Sequence, residues 1–146
     1  MKIKLLSVFL IAAFLGACSS QTKQKTEGHV DTGQSTGISN GVVYFDFDKA
    51  IVKEEGRAVV EHHAKYLTAH PEVKVRLEGH ADERGSREYN VGLGQRRAQA
   101  VRRMMVFLGV NDRQMELISY GEEKPVALGH DEASWAQNRR VEINYH

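Results

Sequence analysis

Between residues 42 and 108 the apolar positions switch back and forth between a two-residue and a 3.6-residue period, and few architectures accommodate that alternation. Val43, Phe45 and Phe47 alternate with Tyr44, Asp46 and Asp48, which predicts a strand over residues 42–48. Residues 53–68 then carry Val59, Val60, His63, Ala64 and Leu67 at helical spacing, closed by His70 and Pro71. Val73, Val75 and Leu77 alternate with Lys74, Arg76 and Glu78 in a second strand. A second helix is predicted from about Asn90 to Leu108, with Gly109 as its stop. Residues 115–120 read as a third strand, residues 134–138 as a short helix, and a last strand places Val141, Ile143 and Tyr145 on one face. The expected fold class is α+β: a two-layer sandwich with a mixed four-stranded sheet and helices on one face, in βαβαββ order.

One residue breaks the pattern. Leu93, Arg97, Ala100, Val101, Met104 and Leu108 share a face of the second helix, so a guanidinium sits inside an apolar stripe. A charge in that position needs either a structural partner or a ligand.

The N-terminus belongs to a different class of segment. Lys2 and Lys4 precede an apolar run over residues 5–15 that is too short to span a bilayer, the layout of a secretory signal. It ends in Leu15, Gly16, Ala17 and Cys18, which resembles a bacterial lipobox, and Cys18 is the only cysteine in the chain. Residues 1–17 are therefore expected to be a cleaved lipoprotein signal peptide, and Cys18 the lipidation site. Ser19, where an aspartate would signal retention in the inner membrane, favours the outer membrane. Residues 18–41 are rich in Ser, Thr, Gly and Gln and read as a lipidated cysteine followed by a flexible linker, spanning on the order of 25 Å. Residues 42–146 form the expected folded domain, facing the periplasm.

Several functions are disfavoured. Removing residues 1–17 takes the net charge from +1 to −1, so no electrostatic footprint for nucleic acid remains. The chain has no HExxH and no GxSxG, and its one thiol is assigned to lipid. The chain is therefore not expected to be an enzyme. Gly92, Gly94 and Arg97 do not complete a dinucleotide fingerprint. His62 and His63 diverge on their helix, and His70 and His80 read as solvated or core-edge residues, so no metal and no cofactor is expected. Asp46 and Asp48 read as same-face surface neighbours on the first strand.

The segment Gly79, His80, Ala81, Asp82, Glu83, Arg84, Gly85, followed by Tyr89, Asn90, Leu93, Arg97 and Ala98, resembles the signature of the OmpA-like peptidoglycan-binding domain. The FDFDKA start at residues 45–50, the SYGEEKPVALGHDE stretch at residues 119–132 and Asn138, Arg139, Arg140 extend the resemblance over essentially all of residues 42–146. The resemblance implies that Asp82 and Arg97 bind the zwitterionic end of meso-diaminopimelate, Asp82 taking the ammonium and Arg97 the carboxylate, with Arg97 facing a wet pocket. Leu93 would pack on the ligand's methylenes, amides near Asn90 would favour the carboxylate, and Phe47, Asp48 and Arg84 would border the site. A purely structural Asp82–Arg97 salt bridge is the alternative for that pair. Core packing, turn capping and solvation are the alternatives for Phe47, Asp48 and Arg84.

The sequence departs from the family pattern at Gly94 and Gln95, where Ser and Glu are common, and Gly94 is expected to weaken the helix by roughly 0.8–1 kcal/mol relative to alanine. Arg96, Arg102 and Arg103 read as solvated, Arg139 and Arg140 as capping or surface-paired residues, and Trp135 as the anchor of its short helix. Joined to the lipobox, the resemblance implies a tether between outer membrane and peptidoglycan with TolB and other Tol-system proteins as partners. A wall-remodelling enzyme and an OmpA-like module of another envelope complex are the competing functions.

Overall fold

The computed structural model describes residues 38–146, so Cys18 and most of the expected linker lie outside the described residues. The elements are β1 (Gly41–Tyr44), α1 (Glu54–Ala69), β2 (Val75–His80), α2 (Arg87–Phe107), β3 (Met115–Gly121), α3 (Glu132–Asn138) and β4 (Arg140–Tyr145), with a 3-10 turn at Asp112–Gln114 before β3. One sheet has the order β1-β4-β2-β3. β4 is antiparallel to both β1 and β2, so those two run parallel with β4 inserted between them, and β2 pairs parallel with β3. The mixed four-stranded sheet read from the sequence is the one observed.

The core is the seam between that sheet and the helices. Val43, Val75, Leu77, Val141 and Ile143 from the strands meet Val60, Ala64 and Leu67 of α1 and Ala98, Val101 and Met105 of α2, all buried. Each Val, Leu, Ile or Met side chain among them contributes about 1.5–3 kcal/mol on leaving water. Gln114, buried just before β3, lays its amide nitrogen against the carbonyls of Leu67, His70 and Val73 at 2.9–3.0 Å, satisfying the end of α1. Among the described residues no helix is long and apolar enough to cross a membrane.

β2 starts at Val75 and α3 at Glu132, each two residues from the sequence reading, and two further boundaries that differ shape the site. β1 stops at Tyr44, where its partner β4 begins at Arg140, instead of running to Asp48. Beyond it Phe45 remains buried and donates its amide to Arg139 O at 2.9 Å, while Lys49 N closes a turn on Asp46 O and Asp48 takes φ +53°. Asp46 and Asp48 are thus loop residues, and Phe47 leaves the core alternation at 53% exposure. The second helix starts at Arg87, three residues before the expected Asn90, because Ser86 accepts Tyr89 N at 3.2 Å as an N-cap and Glu88 sits in the first turn. Its end is as expected, with Gly109 at φ +98°.

α2 presses close on the sheet. A Cβ on Gly79 would lie 1.9 Å from Gly94 O, and one on Gly94 would lie 2.3 Å from Ser119 Oγ. Gly94 therefore permits a backbone-to-backbone approach between helix and strand, which offsets the helical propensity it forfeits. The buried face accordingly runs through Gly94, Arg97, Ala98, Val101 and Met105, with Leu108 exposed.

Candidate ligand-binding site

β2 ends at His80, Ala81 N donates to Gly121 O at 2.8 Å, and the chain then turns through Asp82. Asp82 is only 4% exposed, yet it is fully engaged. Oδ1 accepts the Arg84 backbone amide and Nε, both at 3.1 Å, while Oδ2 accepts Arg84 Nη2 at 2.8 Å and Arg139 Nη1 at 3.4 Å. Burial pushes the Asp82 carboxyl up, but the Arg84 hydrogen bonds and charge, with Arg139 behind them, outweigh it and hold the group below the usual carboxylate range. The Arg84 guanidinium is itself sandwiched, 3.9 Å from the Phe47 ring centroid and 4.1 Å from that of Trp135.

A cleft of about 200 Å³ opens beside this pair. Phe47 and Asp48 form one wall, Asp82, Arg84 and Gly85 a second, and Tyr89 and Leu93 of α2 the third. Gly85 takes φ +112°, a backbone that other residues rarely adopt, and this lets the loop turn back towards α2. The Tyr89 hydroxyl donates to Asp48 and fixes that carboxylate at the rim. The cleft thus combines two carboxylates and a guanidinium with the apolar surfaces of Phe47 and Leu93. Five of the residues singled out in the sequence, Phe47, Asp48, Asp82, Arg84 and Leu93, come together here.

Arg97 and Asn90 do not line the cleft. Arg97 is 0% exposed and donates to three main-chain carbonyls: Nε to Lys49 O at 2.8 Å, Nη1 to His80 O at 2.8 Å and Nη2 to Asp46 O at 3.0 Å. The expectation of a guanidinium facing a wet pocket is corrected by this burial, and no ion pair joins Arg97 to Asp82. The early end of β1 leaves the Lys49 carbonyl outside the ladder and Asp46 O with the Lys49 amide alone, and the guanidinium supplies a donor to each. Burial lowers the Arg97 pKa to about 10 against the opposing pull of the Asp82 charge. Asn90, buried in the first turns of α2, donates to Glu122.

This arrangement has close counterparts. Residues 44–139 match the model of the OmpA family. The chain belongs to the OmpA family. Among its OmpA-family relatives, the peptidoglycan-associated lipoprotein of Pseudomonas aeruginosa is 42% identical over 96% of this chain and 95% of its own length. The peptidoglycan-associated lipoprotein of Pasteurella multocida is 44% identical over 97% and 99%. The crystal structure of the peptidoglycan-associated lipoprotein from Burkholderia pseudomallei superposes with a TM-score of 0.71 at 56% identity, covering 72% of this chain and 89% of that one. These relatives are named for association with peptidoglycan, not for a reaction on it.

Three contributors to this OmpA-family site were not identified in the sequence. Arg139 is a buried partner of Asp82, and it also donates to Phe45 O at 3.0 Å and to Glu132 at 2.6 Å, so it is neither a surface pair nor a simple cap. Trp135 covers Arg84 and donates its indole N–H to Glu83 at 2.8 Å, so it anchors the loop after β2 as well as its own helix. His130 donates to the same Glu83 carboxylate at 2.7 Å, and that bond raises the His130 pKa. Their sequence signals were the density of charged and aromatic residues in residues 130–140 and, for His130 and Arg139, their place in segments that carry the resemblance.

On the opposite face of the sheet, His80 is 1% exposed with neither ring nitrogen hydrogen-bonded, and its ligand atoms lie within 4.8 Å of those of Glu78 and Glu142. Arg140 already holds Glu142 at 2.6 Å, so the cluster contains its cation and a divalent ion would be repelled. Burial, then the Arg140 charge, lowers the His80 pKa to about 4.

Proposed function

We propose that this chain is an outer-membrane lipoprotein whose domain binds the diaminopimelate-containing peptide of peptidoglycan non-covalently and so tethers membrane to wall. The single observation that carries this reading is the small cleft in which Asp82 and Asp48 meet Arg84 between apolar walls. A diaminopimelate end carries an ammonium, a carboxylate and methylenes, and each finds a counterpart there. The ammonium is assigned to the Asp82 and Asp48 carboxylates, and the methylenes to Leu93 and Phe47. The carboxylate is assigned to the combined positive field of Arg84 and Arg97. Three of the five Arg97 N–H groups are spent on carbonyls, which leaves one on each Nη. Asn90 supports the floor through Glu122.

The names of the relatives, which speak of association with peptidoglycan, support the wall as target and binding as the function. Residues 1–17 are assigned as signal peptide, Cys18 as the acylated residue and the following polar stretch as the tether. Resemblance to lipoproteins of this family supports a role in a Tol-Pal-type envelope and cell-division system with TolB as partner.

The test is a pull-down of the unlipidated chain on purified sacculi, comparing diaminopimelate-type with lysine-type walls. Retention on the first only is expected, and equal retention on both would sink the ligand assignment. For the anchor, radiolabelled fatty acid should enter the wild type and not Cys18→Ala; label in both, or in neither, refutes it.

A further inference from the structure

The strand directions divide the domain into two poles. β1, β2 and β3 run the same way, β4 and α2 run against them, and the cleft lies where β1 and β2 end and α2 begins. The opposite pole gathers the starts of β1, β2 and β3 with the ends of β4 and α2. Two features meet at that second pole. The chain enters there, since Gly41 begins β1 and Asn40 accepts the amide of Tyr145 at 3.3 Å. α2 ends there in Val106, Phe107 and Leu108, all exposed, with Phe107 at 88%. Arg102 and Arg103 sit on the last turns of the same helix and Arg113 follows in the 3-10 turn; of the acids at this pole, Asp112 is paired to Arg102 and Glu116 to Arg76, and Glu72 lies before β2.

We propose that the Phe107 tip of α2, with Arg102 and Arg103 beside it, docks on the anionic surface of the membrane that holds the lipid anchor. This rests on the anchored reading given above. The tether would enter the domain at the same pole as the tip, so it would keep the tip within on the order of 25 Å of the bilayer. At that distance the encounter is intramolecular, with an effective concentration in the millimolar range, and a weak contact suffices. An aromatic and two aliphatic side chains flanked by arginines match an interface of apolar chains beneath anionic headgroups. A stable protein partner would require a larger continuous surface than one helix tip supplies. α2 has 21 residues and is about 32 Å long, so a docked domain presents its cleft away from the membrane, towards the wall.

The experiment uses the chain from Cys18 onward, which retains the whole core between Val43 and Ile143. Its only thiol, Cys18, is coupled to a maleimide lipid on vesicles of phosphatidylethanolamine and phosphatidylglycerol with brominated acyl chains. Trp135, the only tryptophan, reports on the cleft pole, and Phe107→Trp adds a reporter at the tip. The emission that Phe107→Trp adds over the unsubstituted chain is expected to fall by at least half, while Trp135 in the unsubstituted chain is unquenched. Adding Arg103→Glu, or replacing phosphatidylglycerol with phosphatidylcholine, should restore the emission. The proposal is overturned by equal quenching in the two chains, by quenching that ignores both charge changes, or by a density-dependent blue shift without quenching, which would assign the tip to a second copy of the chain. Because the coupling is chemical, failure here leaves the acyl-labelling result untouched, and failure of acylation in cells leaves this one untouched.

Discussion

Arg84 clasps both carboxylate oxygens of Asp82, the residue two positions before it, and is itself held flat between Phe47 and Trp135. The cleft therefore presents a pre-assembled ion pair, with Arg139 bracing Asp82 from the buried side. Such a pair costs little to reorganise when a zwitterion arrives, since each pole exchanges one opposite charge for another.

Loss of either pole should have different consequences. Asp82→Asn leaves buried Arg139 with Glu132 as its one anion and removes the carboxylate that Arg84 clasps, and should lower stability by about 1–3 kcal/mol. Arg84 is partly exposed, and Arg84→Ala should cost about 1 kcal/mol or less. Both should weaken binding of a diaminopimelate peptide at least tenfold by calorimetry. Because the Asp82 carboxyl is held below its ordinary range, its contribution to stability is present above that range and is lost as pH falls through its folded-state pKa. Melting curves in which Arg84→Ala is the more damaging change would contradict this assignment of roles.

Arg97 is expected to behave as a strut whose charge also serves the cleft. Arg97→Ala removes the side-chain donor from three carbonyls, of which Asp46 O keeps the Lys49 amide, and should destabilise by about 2 kcal/mol or more, at about 1–3 kcal/mol for each group left unsatisfied. A lysine keeps the charge, but one ammonium cannot span three separate carbonyls, so Arg97→Lys should fall between. Urea denaturation of the three proteins checks the order. Calorimetry on folded Arg97→Lys with a peptide amidated at the diaminopimelate carboxylate then isolates the binding role. Amidation should penalise wild type more than Arg97→Lys, and equal penalties would reduce Arg97 to a scaffold residue.

The extent to which this was legible in the sequence follows from distance along the chain. The strands and helices were readable because their periods are local, and five cleft residues were readable because they cluster in the motifs around Phe47 and Asp82. Arg97 was visible as an anomaly in an apolar stripe, but its partners lie as far away as Asp46, at a β1 end fixed only by where β4 begins. Arg139 reaches Asp82 from 57 residues away, and Gln114 caps α1 from 44 residues beyond His70. No local pattern encodes contacts of that span. Ser86 is the reverse case: an N-cap was written locally, and only the dominance of the apolar stripe from Asn90 onward concealed it.

The helix-to-sheet contact should be intolerant of a single methyl group. Gly79→Ala would set a Cβ 1.9 Å from Gly94 O, a main-chain atom that cannot rotate aside. α2 must then lift from β2, disturbing the floor beneath Asp82, and the cost should exceed the about 1–3 kcal/mol typical of overpacking by one methyl. Gly92→Ala is the control, since its nearest neighbour is the mobile end of Arg96 at 3.3 Å. It should be neutral or slightly stabilising through helix propensity. Similar melting temperatures for the two variants would show that the helix slides without penalty.

His80 should make stability fall in mild acid. Its folded-state pKa is about 4 against 6.5 for a free imidazole, because burial and then Arg140 disfavour the charged ring; Glu142 opposes this and Lys124 adds to it. Between those values the unfolded chain binds more protons, so stability rises with pH across the window and is lost on descending it, by about 3 kcal/mol once below pH 4. His130 works the other way, since its pKa is raised by Glu83 and its contribution is present below the ordinary histidine range and lost as pH rises through its folded value. Buried His63, lowered by burial and by His62, adds to the His80 slope. Replacing the ring with one that cannot titrate isolates the effect. His80→Phe retains the stacking on Tyr120 at 5.6 Å and removes two nitrogens that have no hydrogen bond to lose. Chemical denaturation at pH 7 should give wild type and His80→Phe similar stabilities, and at pH 4.5 the variant should be the more stable by about 2 kcal/mol, most of the His80 linkage having developed by then. Parallel pH profiles for the two proteins would assign the acid sensitivity elsewhere, with His63 the next residue to replace.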